Sequence, residues 1–306
     1  MSKTRFQNRW VEDAANKEAL LKITKIAQRG GVLKKEHSPY GITDKGLIDF
    51  RGLRLSGMIL KKLKVSDADM SYSDFYDTFL ERSRFNNVVF HQTDFSKFRD
   101  IGNEFTNVYF LKCKFIEASI GYKGTRFQLS FLEDCNFRRA TFTRAEFTNC
   151  KITNCKLNGM DLFGSSFENS SFTGKYQDLW FRGGYPHSDD RKEFGKPKKN
   201  TMLNVSFEEA TLQDITYSND CDLSTVILPK SGNYKYFDNW EKRLRVLNAK
   251  ISKWNEGERI EADIFVSSLL VDADTQPNYI LNIDFIEEEF GEELTTKMIS
   301  ELENAL

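Results

Sequence analysis

The side chains in this sequence that could bind a metal ion or act as nucleophiles are five cysteines and three histidines. They are Cys113, Cys135, Cys150, Cys155, Cys221, His37, His91 and His187. A zinc site needs cysteine or histidine ligands paired at short spacing, and neither set has that spacing. A disulfide framework needs an oxidising compartment. We predict that the cysteines are small buried thiols and that the chain has no catalytic residue, metal or cofactor and is not an enzyme.

A second candidate for chemistry is a segment that mixes aromatic and basic residues between positions 175 and 204. Seven basic and four acidic residues give this segment a net charge of +3. A long segment without a repeat pattern inside a compact domain is often functional, and aromatic and cationic side chains are frequent partner contacts. The alternative is that Trp180 and Phe181 fold back on the molecule. The predicted partner-binding residues are Trp180, Phe181, Arg182, Tyr185, Lys196, Lys198 and Lys199.

The elements that position these residues follow from an apolar residue that recurs at every fifth position. We call this recurring position the beat. The beat includes Phe75, Leu80, Phe85, Phe90 and Phe95, misses at Asp100, and resumes at Phe105, Phe110 and Phe115. After a two-residue slip it continues from Phe127 to Phe172, and it returns at Phe207. Residues five apart form no stripe on a helix and lie on opposite faces of a straight strand. Because the residues two before each beat are small or apolar, each unit is predicted to be a short extended piece followed by a corner.

This pattern resembles the pentapeptide-repeat family, in which a small residue and Asp or Asn precede Leu or Phe. Ala68-Asp69-Met70, Ser73-Asp74-Phe75, Thr93-Asp94-Phe95, Cys135-Asn136-Phe137 and Met160-Asp161-Leu162 carry the resemblance. The resemblance implies a mainly β fold: a right-handed quadrilateral β-helix with four units per coil. Residues twenty apart should then stack, as in Phe90 on Phe110 or Phe127 on Phe147. Asn87, Asn107, Asn149 and Asn169 should form an outward polar ladder.

The chain divides into three predicted regions. Residues 1–47 form an N-terminal helical cap and linker, with a helix over 11–28, and a partner-binding helix is the alternative. Residues 48–229 form the β-helix, interrupted by the loop at 175–204. Residues 230–306 form an acidic helical region, in which residues 231–306 have a net charge of −8. Helices are predicted over 238–255 and 258–270, and a last stretch at 283–306 alternates acidic runs with apolar residues. In the second of these helices, Ile260, Ile264 and Leu269 are the apolar residues at helical spacing. This region is a cap, a homodimer interface or a partner-docking module.

Charge separates the candidate functions. The whole chain carries 44 basic and 45 acidic residues, and no apolar run is long enough to span a membrane. We expect a cytoplasmic protein, bacterial by the habit of the family, that acts as a non-enzymatic scaffold and binds a protein partner through its loop and C-terminal helices. The resemblance supplies an alternative, protection of DNA gyrase or a topoisomerase by imitation of DNA. The repeat nets only −1, whereas duplex DNA carries one negative charge per ~1.7 Å. The other alternative is nucleic-acid binding through the basic loop, but nucleic acid is a poor candidate because no motif accompanies the charge.

Overall fold

A computed structural model describes residues 3–306 and shows a four-sided parallel β-solenoid of about 7 turns. Its sheet has eighteen strands. They are β1 (Val32–Leu33), β2 (Ile48–Asp49), β3 (Ile59–Lys61), β4 (Lys64–Asp69), β5 (Phe79–Glu81), β6 (Arg84–His91), β7 (Arg99–Ile101), β8 (Glu104–Leu111), β9 (Ser119–Tyr122), β10 (Arg126–Gln128), β11 (Phe131–Glu133), β12 (Thr141–Thr143), β13 (Glu146–Thr148), β14 (Lys151–Thr153), β15 (Met160–Phe163), β16 (Ser166–Glu168), β17 (Ser171–Arg182) and β18 (Ser206–Ser218). The predicted fold class is confirmed.

The beat residues point inward and stack on their counterparts one coil away. Phe90 lies opposite Phe110 in the β6–β8 register, with ring centroids 5.3 Å apart. Phe127 stacks on Phe147 at 4.7 Å. Stacking at the coil repeat therefore builds the solenoid core from the column pairs that the spacing predicts.

Where the inward position two residues before a beat holds Ser, Thr or Cys, the side chain can donate a hydrogen bond to the preceding coil. The Thr78 hydroxyl donates to the Leu55 carbonyl at 2.8 Å, and the Cys150 thiol donates to the Phe127 carbonyl at 3.3 Å. All five cysteines are buried and free. Burial raises the pKa of the Cys150 thiol to about 11, so this thiol stays protonated near neutral pH and serves as a small core group.

Every coil turns at corner residues with a left-handed backbone, two positions after the beat. Asn87, Asn107 and Asn149 have φ values of 54°, 52° and 54°, which asparagine tolerates better than most residues. Asn107 Nδ2 donates to Asn87 Oδ1 at 3.1 Å, and Asn87 Nδ2 donates to Asp67 Oδ1 at 2.7 Å. The predicted polar ladder is thus present between Asn87 and Asn107, and it occupies the strained corners.

The first residue of the two-residue slip is absorbed at a bulge beside Asp100, the residue at which the beat misses. The register between β7 and β9 shifts there by one residue, and the second residue is inserted before Arg126 pairs with Glu104. The Asp100 carboxylate is buried and accepts hydrogen bonds from Asn103 Nδ2 and from the Gly121 amide, the latter at 3.0 Å. Gly121 has φ +93°, and a Cβ on it would lie 2.7 Å from the Ala145 amide nitrogen. Asp100 therefore fastens a bulge that only glycine can form.

Burial of Asp100 gives a pH prediction. Burial raises the pKa of Asp100 to about 6 from a usual 3.8, against the lowering effect of its hydrogen bonds. When the pKa of a carboxyl group is higher in the folded protein than in the unfolded chain, protonation stabilises the folded state. This stabilisation is complete below the unfolded-state pKa and is lost as the pH rises through the folded-state pKa. We expect the free energy of unfolding to gain roughly 1.4 kcal/mol from this group between pH 7.5 and pH 5. Urea unfolding of wild type and Asp100→Asn at both pH values checks this, and an equal pH dependence in the two proteins would contradict it.

The N-terminal helices α1 (Lys3–Asn8) and α2 (Ala14–Gln28) pack on the first coils. Helix α2 begins three residues later than predicted because the Asp13 side chain caps it, accepting from the Asn16 amide at 2.7 Å. Arg9 forms an ion pair with Asp49 at 2.5 Å, and the Trp10 indole donates to the Arg51 carbonyl at 2.9 Å. Burial raises the pKa of Asp49, but hydrogen bonds from Arg51 and Arg9 outweigh it and lower that pKa to about 2.

The predicted start of the interrupting loop is wrong. Strand β17 continues to Arg182, and Tyr176 and Phe181 are buried and pair with Leu212 and Tyr217 of β18. The step from Phe172 to Tyr176 is four residues, and this shorter step hid the continuation of the beat. The loop itself begins at Gly183 and contains the short helix α3 (Asp190–Phe194).

The C-terminal region contains a two-stranded antiparallel sheet as well as helices. Strands β19 (Tyr234–Asp238) and β20 (Asn278–Asn282) pair antiparallel, which the sequence did not indicate. The helices are α4 (Trp240–Ile251), α5 (Glu256–Leu270), α6 (Ile283–Phe290) and α7 (Glu292–Glu303). The stretch from 283 to 306 forms the last two of these helices, which are divided at Gly291, a residue with φ +81°.

The C-terminal region covers the open end of the solenoid with side-chain hydrogen bonds. The Asn282 amide donates to the Leu212 carbonyl at 2.7 Å, and the Tyr234 hydroxyl accepts from the Leu212 amide at 2.9 Å. Gln276 accepts from the Cys221 amide at 3.1 Å and donates to the Cys221 carbonyl at 2.6 Å. These contacts satisfy backbone groups that a last coil would otherwise expose.

Candidate partner-binding surfaces

The loop after β17 is docked on the solenoid by an aromatic cluster. The Tyr185 ring stacks on Phe163 at 4.9 Å, and Phe194 packs edge-on against Phe163 at 5.6 Å. A Cβ on Gly164 would lie 2.1 Å from the Tyr185 ring, so the close approach requires glycine. Burial raises the pKa of Tyr185 to about 12. The Arg144 guanidinium donates to the Phe194 carbonyl at 2.9 Å and holds the far end of the loop.

Most of the predicted binding residues have structural partners within the chain. Phe181 is a buried core residue. Arg182 is also buried, and its Nε lies 2.9 Å from both carboxylate oxygens of Asp161. Lys198 forms an ion pair with Glu168 at 2.8 Å, and Lys199 forms one with Asp220 at 2.6 Å.

Two of the predicted residues remain available at the surface. Trp180 is half-buried on the outer wall of β17, with the Arg182 guanidinium 4.6 Å from its ring centroid. Lys196 is exposed. The seven predicted residues therefore do not form one surface: the structure separates the core residue Phe181 from the wall and the loop.

Helix α5 carries an exposed apolar stripe. The Asn255 side chain caps this helix, and Ala262, Phe265 and Val266 form its buried face. Ile260 and Ile264 are 53% and 61% exposed, and Val271 directly after the helix is 76% exposed. At 100° per residue these three lie within about 40° of one another. We call Ile260, Ile264 and Val271 the α5 stripe.

Acidic residues flank the α5 stripe. Glu256, Glu261 and Asp263 are exposed on the same helix. Among the described residues none of the three forms an ion pair within 4.0 Å with a basic side chain. The stripe is thus an apolar surface bordered by three carboxylates and by one cation, Arg259, which is exposed on the same helix.

A cavity of about 120 Å³ lies between the last coil and the C-terminal helices. Its walls include Phe265, Ser268 and Leu269 of α5 and two carboxylates, Asp214 of β18 and Glu289 of α6. The cavity shares helix α5 with the stripe, although none of the three stripe residues lines it. No helix within residues 3–306 combines the length and the apolar character needed to cross a membrane.

The fold and the repeat define the class as a repeat solenoid. Residues 48–87, 66–99 and 123–159 match the family model that is described as pentapeptide repeats in eight copies. The chain therefore contains pentapeptide repeats over these residues. Comparison with curated proteins gave no significant match.

Solved structures of pentapeptide-repeat proteins are also similar to this chain. QnrB1, a plasmid-mediated fluoroquinolone resistance protein, is 11% identical over 56% of this chain and 89% of its own, with a TM-score of 0.32. HetL of Nostoc sp. strain PCC 7120, involved in heterocyst differentiation regulation, is 13% identical over 57% of this chain and 91% of its own, with a TM-score of 0.25. Sequence identities and TM-scores this low carry no inference about activity or partners.

Proposed function

We propose that this protein is a non-enzymatic scaffold that binds a protein partner, with the α5 stripe as the main contact and the loop wall at Trp180 and Lys196 as a secondary one. The observation that carries the proposal is the exposure of Ile260, Ile264 and Val271 on one helix face. Apolar side chains aligned on a helix are typical anchors for a partner segment. The five free thiols favour a reducing compartment, and we place the protein in the cytoplasm.

Charge favours a basic amphipathic segment as the occupant of the stripe. Such a segment would lay its apolar face on Ile264 and its cations against Glu256, Glu261 and Asp263, and a lysine or arginine would enter the recess between Asp214 and Glu289. A second copy of α5 would instead bring like charges together, which disfavours a homodimer through this face.

Imitation of DNA by the solenoid is not the function we propose. A DNA-like wall of some 36 Å would carry roughly 21 negative charges, whereas the outward column at Arg84, Glu104 and Arg126 mixes signs. Protection of gyrase by this chain would therefore require contacts other than charge mimicry by the whole rod.

The α5 stripe can be tested with Ile264→Glu. A charge at the centre of the stripe removes roughly 1.5–3 kcal/mol of apolar burial, so binding of the partner is expected to weaken at least tenfold. Affinity capture from host lysate identifies the partner, and titration of the purified pair measures the change. A photo-crosslinking residue at position 260 should label a basic amphipathic segment of that partner.

The matched control is Leu129→Glu, which places the same charge on an exposed leucine of the solenoid wall, 48% exposed. It should leave the affinity within about twofold of wild type. If Ile264→Glu retains full affinity, or if cross-links from position 260 fall on an acidic segment, the proposal is wrong.

A further inference from the structure

One corner of the solenoid carries only basic residues. Successive coils place Lys62, Arg82, Lys123 and Arg144 at this corner, with φ values of 55°, 49°, 62° and 62°. Gly102 occupies the coil between the two pairs. With coils roughly 4.8 Å apart, the column spans about 19 Å. The sequence hides this column because its members are about twenty residues apart.

A neighbouring column on the same corner is also mainly basic. Lys64, Arg84, Glu104, Arg126 and Glu146 are register partners in successive coils. The two columns together hold seven cations and two carboxylates, a net charge of +5. We call the cations the basic edge: Lys62, Lys64, Arg82, Arg84, Lys123, Arg126 and Arg144.

The basic edge is exposed along most of its length. The side chains of Arg82, Arg84 and Arg126 are 64%, 62% and 61% exposed, and Lys62, Lys64 and Lys123 are exposed as well. Glu104 pairs with Arg84 at 2.8 Å and with Arg126 at 2.5 Å. At its far end Arg144 meets the loop through the Phe194 carbonyl. Arg82 also pairs with Glu81 at 3.8 Å. Lys62, Lys64 and Lys123 can therefore contact a ligand without any rearrangement, whereas Arg82, Arg84 and Arg126 would share their carboxylate partners with it.

Stability does not account for this column. Lysine and arginine are poor residues for a left-handed corner, and like charges stacked on adjacent strands repel. A second corner solves both problems with the hydrogen-bonded ladder of Asp67, Asn87 and Asn107. A third alternates Asp77, Lys97, Glu117 and Arg139, and it pairs Arg139 with Glu117 at 3.6 Å. The basic edge departs from both solutions.

We propose that the basic edge binds the phosphate backbone of nucleic acid without reading sequence. Phosphate recognition needs rows of exposed cations and no apolar anchor, and the two columns hold seven cations, two carboxylates and no large apolar side chain. A protein partner would instead need apolar or aromatic anchors at the centre of the contact. The solenoid corner is favoured over the loop because its cations form a regular row along successive coils.

The probe for this proposal is a fluorescein-labelled 20-base-pair duplex of mixed sequence, titrated with the full chain by fluorescence anisotropy at several salt concentrations. If about four cations contact phosphates, log K against log salt should have a slope of about −4. Lys62→Asn, Arg82→Asn and Lys123→Asn combined remove three cations and introduce the residue that the second corner uses. We expect this variant to lose at least tenfold in affinity at low salt and to flatten the slope by about 3.

The matched control combines Lys97→Asn, Lys112→Asn and Arg139→Asn, which sit at other corners with φ values of 56°, 54° and 59°. It changes the net charge by the same amount and should bind within about twofold of wild type. Thermal unfolding should show the basic-edge variant to be at least as stable as wild type. Equal losses in both variants, no duplex binding by wild type at low salt, or competition by polyglutamate as effective per charge as DNA would each overturn the proposal.

Discussion

Replacement of Phe90 by alanine is expected to lower the free energy of unfolding by about 3–5 kcal/mol. The Phe90 side chain is fully buried and stacks on Phe110 at 5.3 Å, with the ring of Phe95 at 5.1 Å. Coils held at a fixed spacing by parallel hydrogen bonds cannot close around the lost ring, so most of the cavity should persist. Urea unfolding followed by circular dichroism measures the loss.

Phe131→Ala is the matched control because Phe131 stacks outward on Tyr109 at 4.6 Å and is only half-buried. Its loss is expected to stay near 1 kcal/mol, the range of an aromatic pair. Equal losses at positions 90 and 131 would show that the inward column does not dominate stability.

Gln276→Ala is expected to lower the free energy of unfolding by about 2–4 kcal/mol and to loosen the C-terminal region from the solenoid. The buried Gln276 amide serves both backbone groups of Cys221 and also the Asn278 carbonyl, the last at 2.7 Å. Alanine leaves the buried Cys221 amide and carbonyl without these partners, and each unpaired group costs about 1–3 kcal/mol.

Hydrogen exchange distinguishes this effect from general destabilisation. Amides of β18, β19 and β20 should exchange faster in Gln276→Ala, whereas those of β6 and β8 should keep their protection. Gln213→Ala, on the outer wall of β18, should change neither. Uniform acceleration along the whole chain would contradict a local role for Gln276.

The repeat could be predicted from the sequence because each unit buries its own two side chains. The beat therefore locates Phe90, Phe127 and the inward thiols without knowledge of distant contacts. The five-residue spacing does not reveal the coil at Tyr176 and Phe181, because the step from Phe172 to Tyr176 is four residues. At Asp100 the spacing is informative, because the missing apolar residue coincides with a bulge in the structure.

The C-terminal region was less accessible to sequence reasoning. The pairing of Tyr236 with Ile280 joins segments more than forty residues apart, and no local pattern marks it. Periodicity predicts helix α5 but not which of its faces is buried, so the exposure of Ile264 could not be predicted. The basic edge shows the same limit: stacking at the coil repeat joins cations that lie about twenty positions apart in the chain.

The capped end of the solenoid also decides how molecules can assemble. Unpaired strand edges recruit further strands, and a stack of coils could in principle grow into a fibre. Here Asn282, Tyr234 and Gln276 occupy backbone groups of the last strands with side-chain amides and a hydroxyl, which cannot template another coil. Coils of another molecule therefore cannot add at this end of the rod. The basic edge and the α5 stripe stay at a constant separation within each molecule.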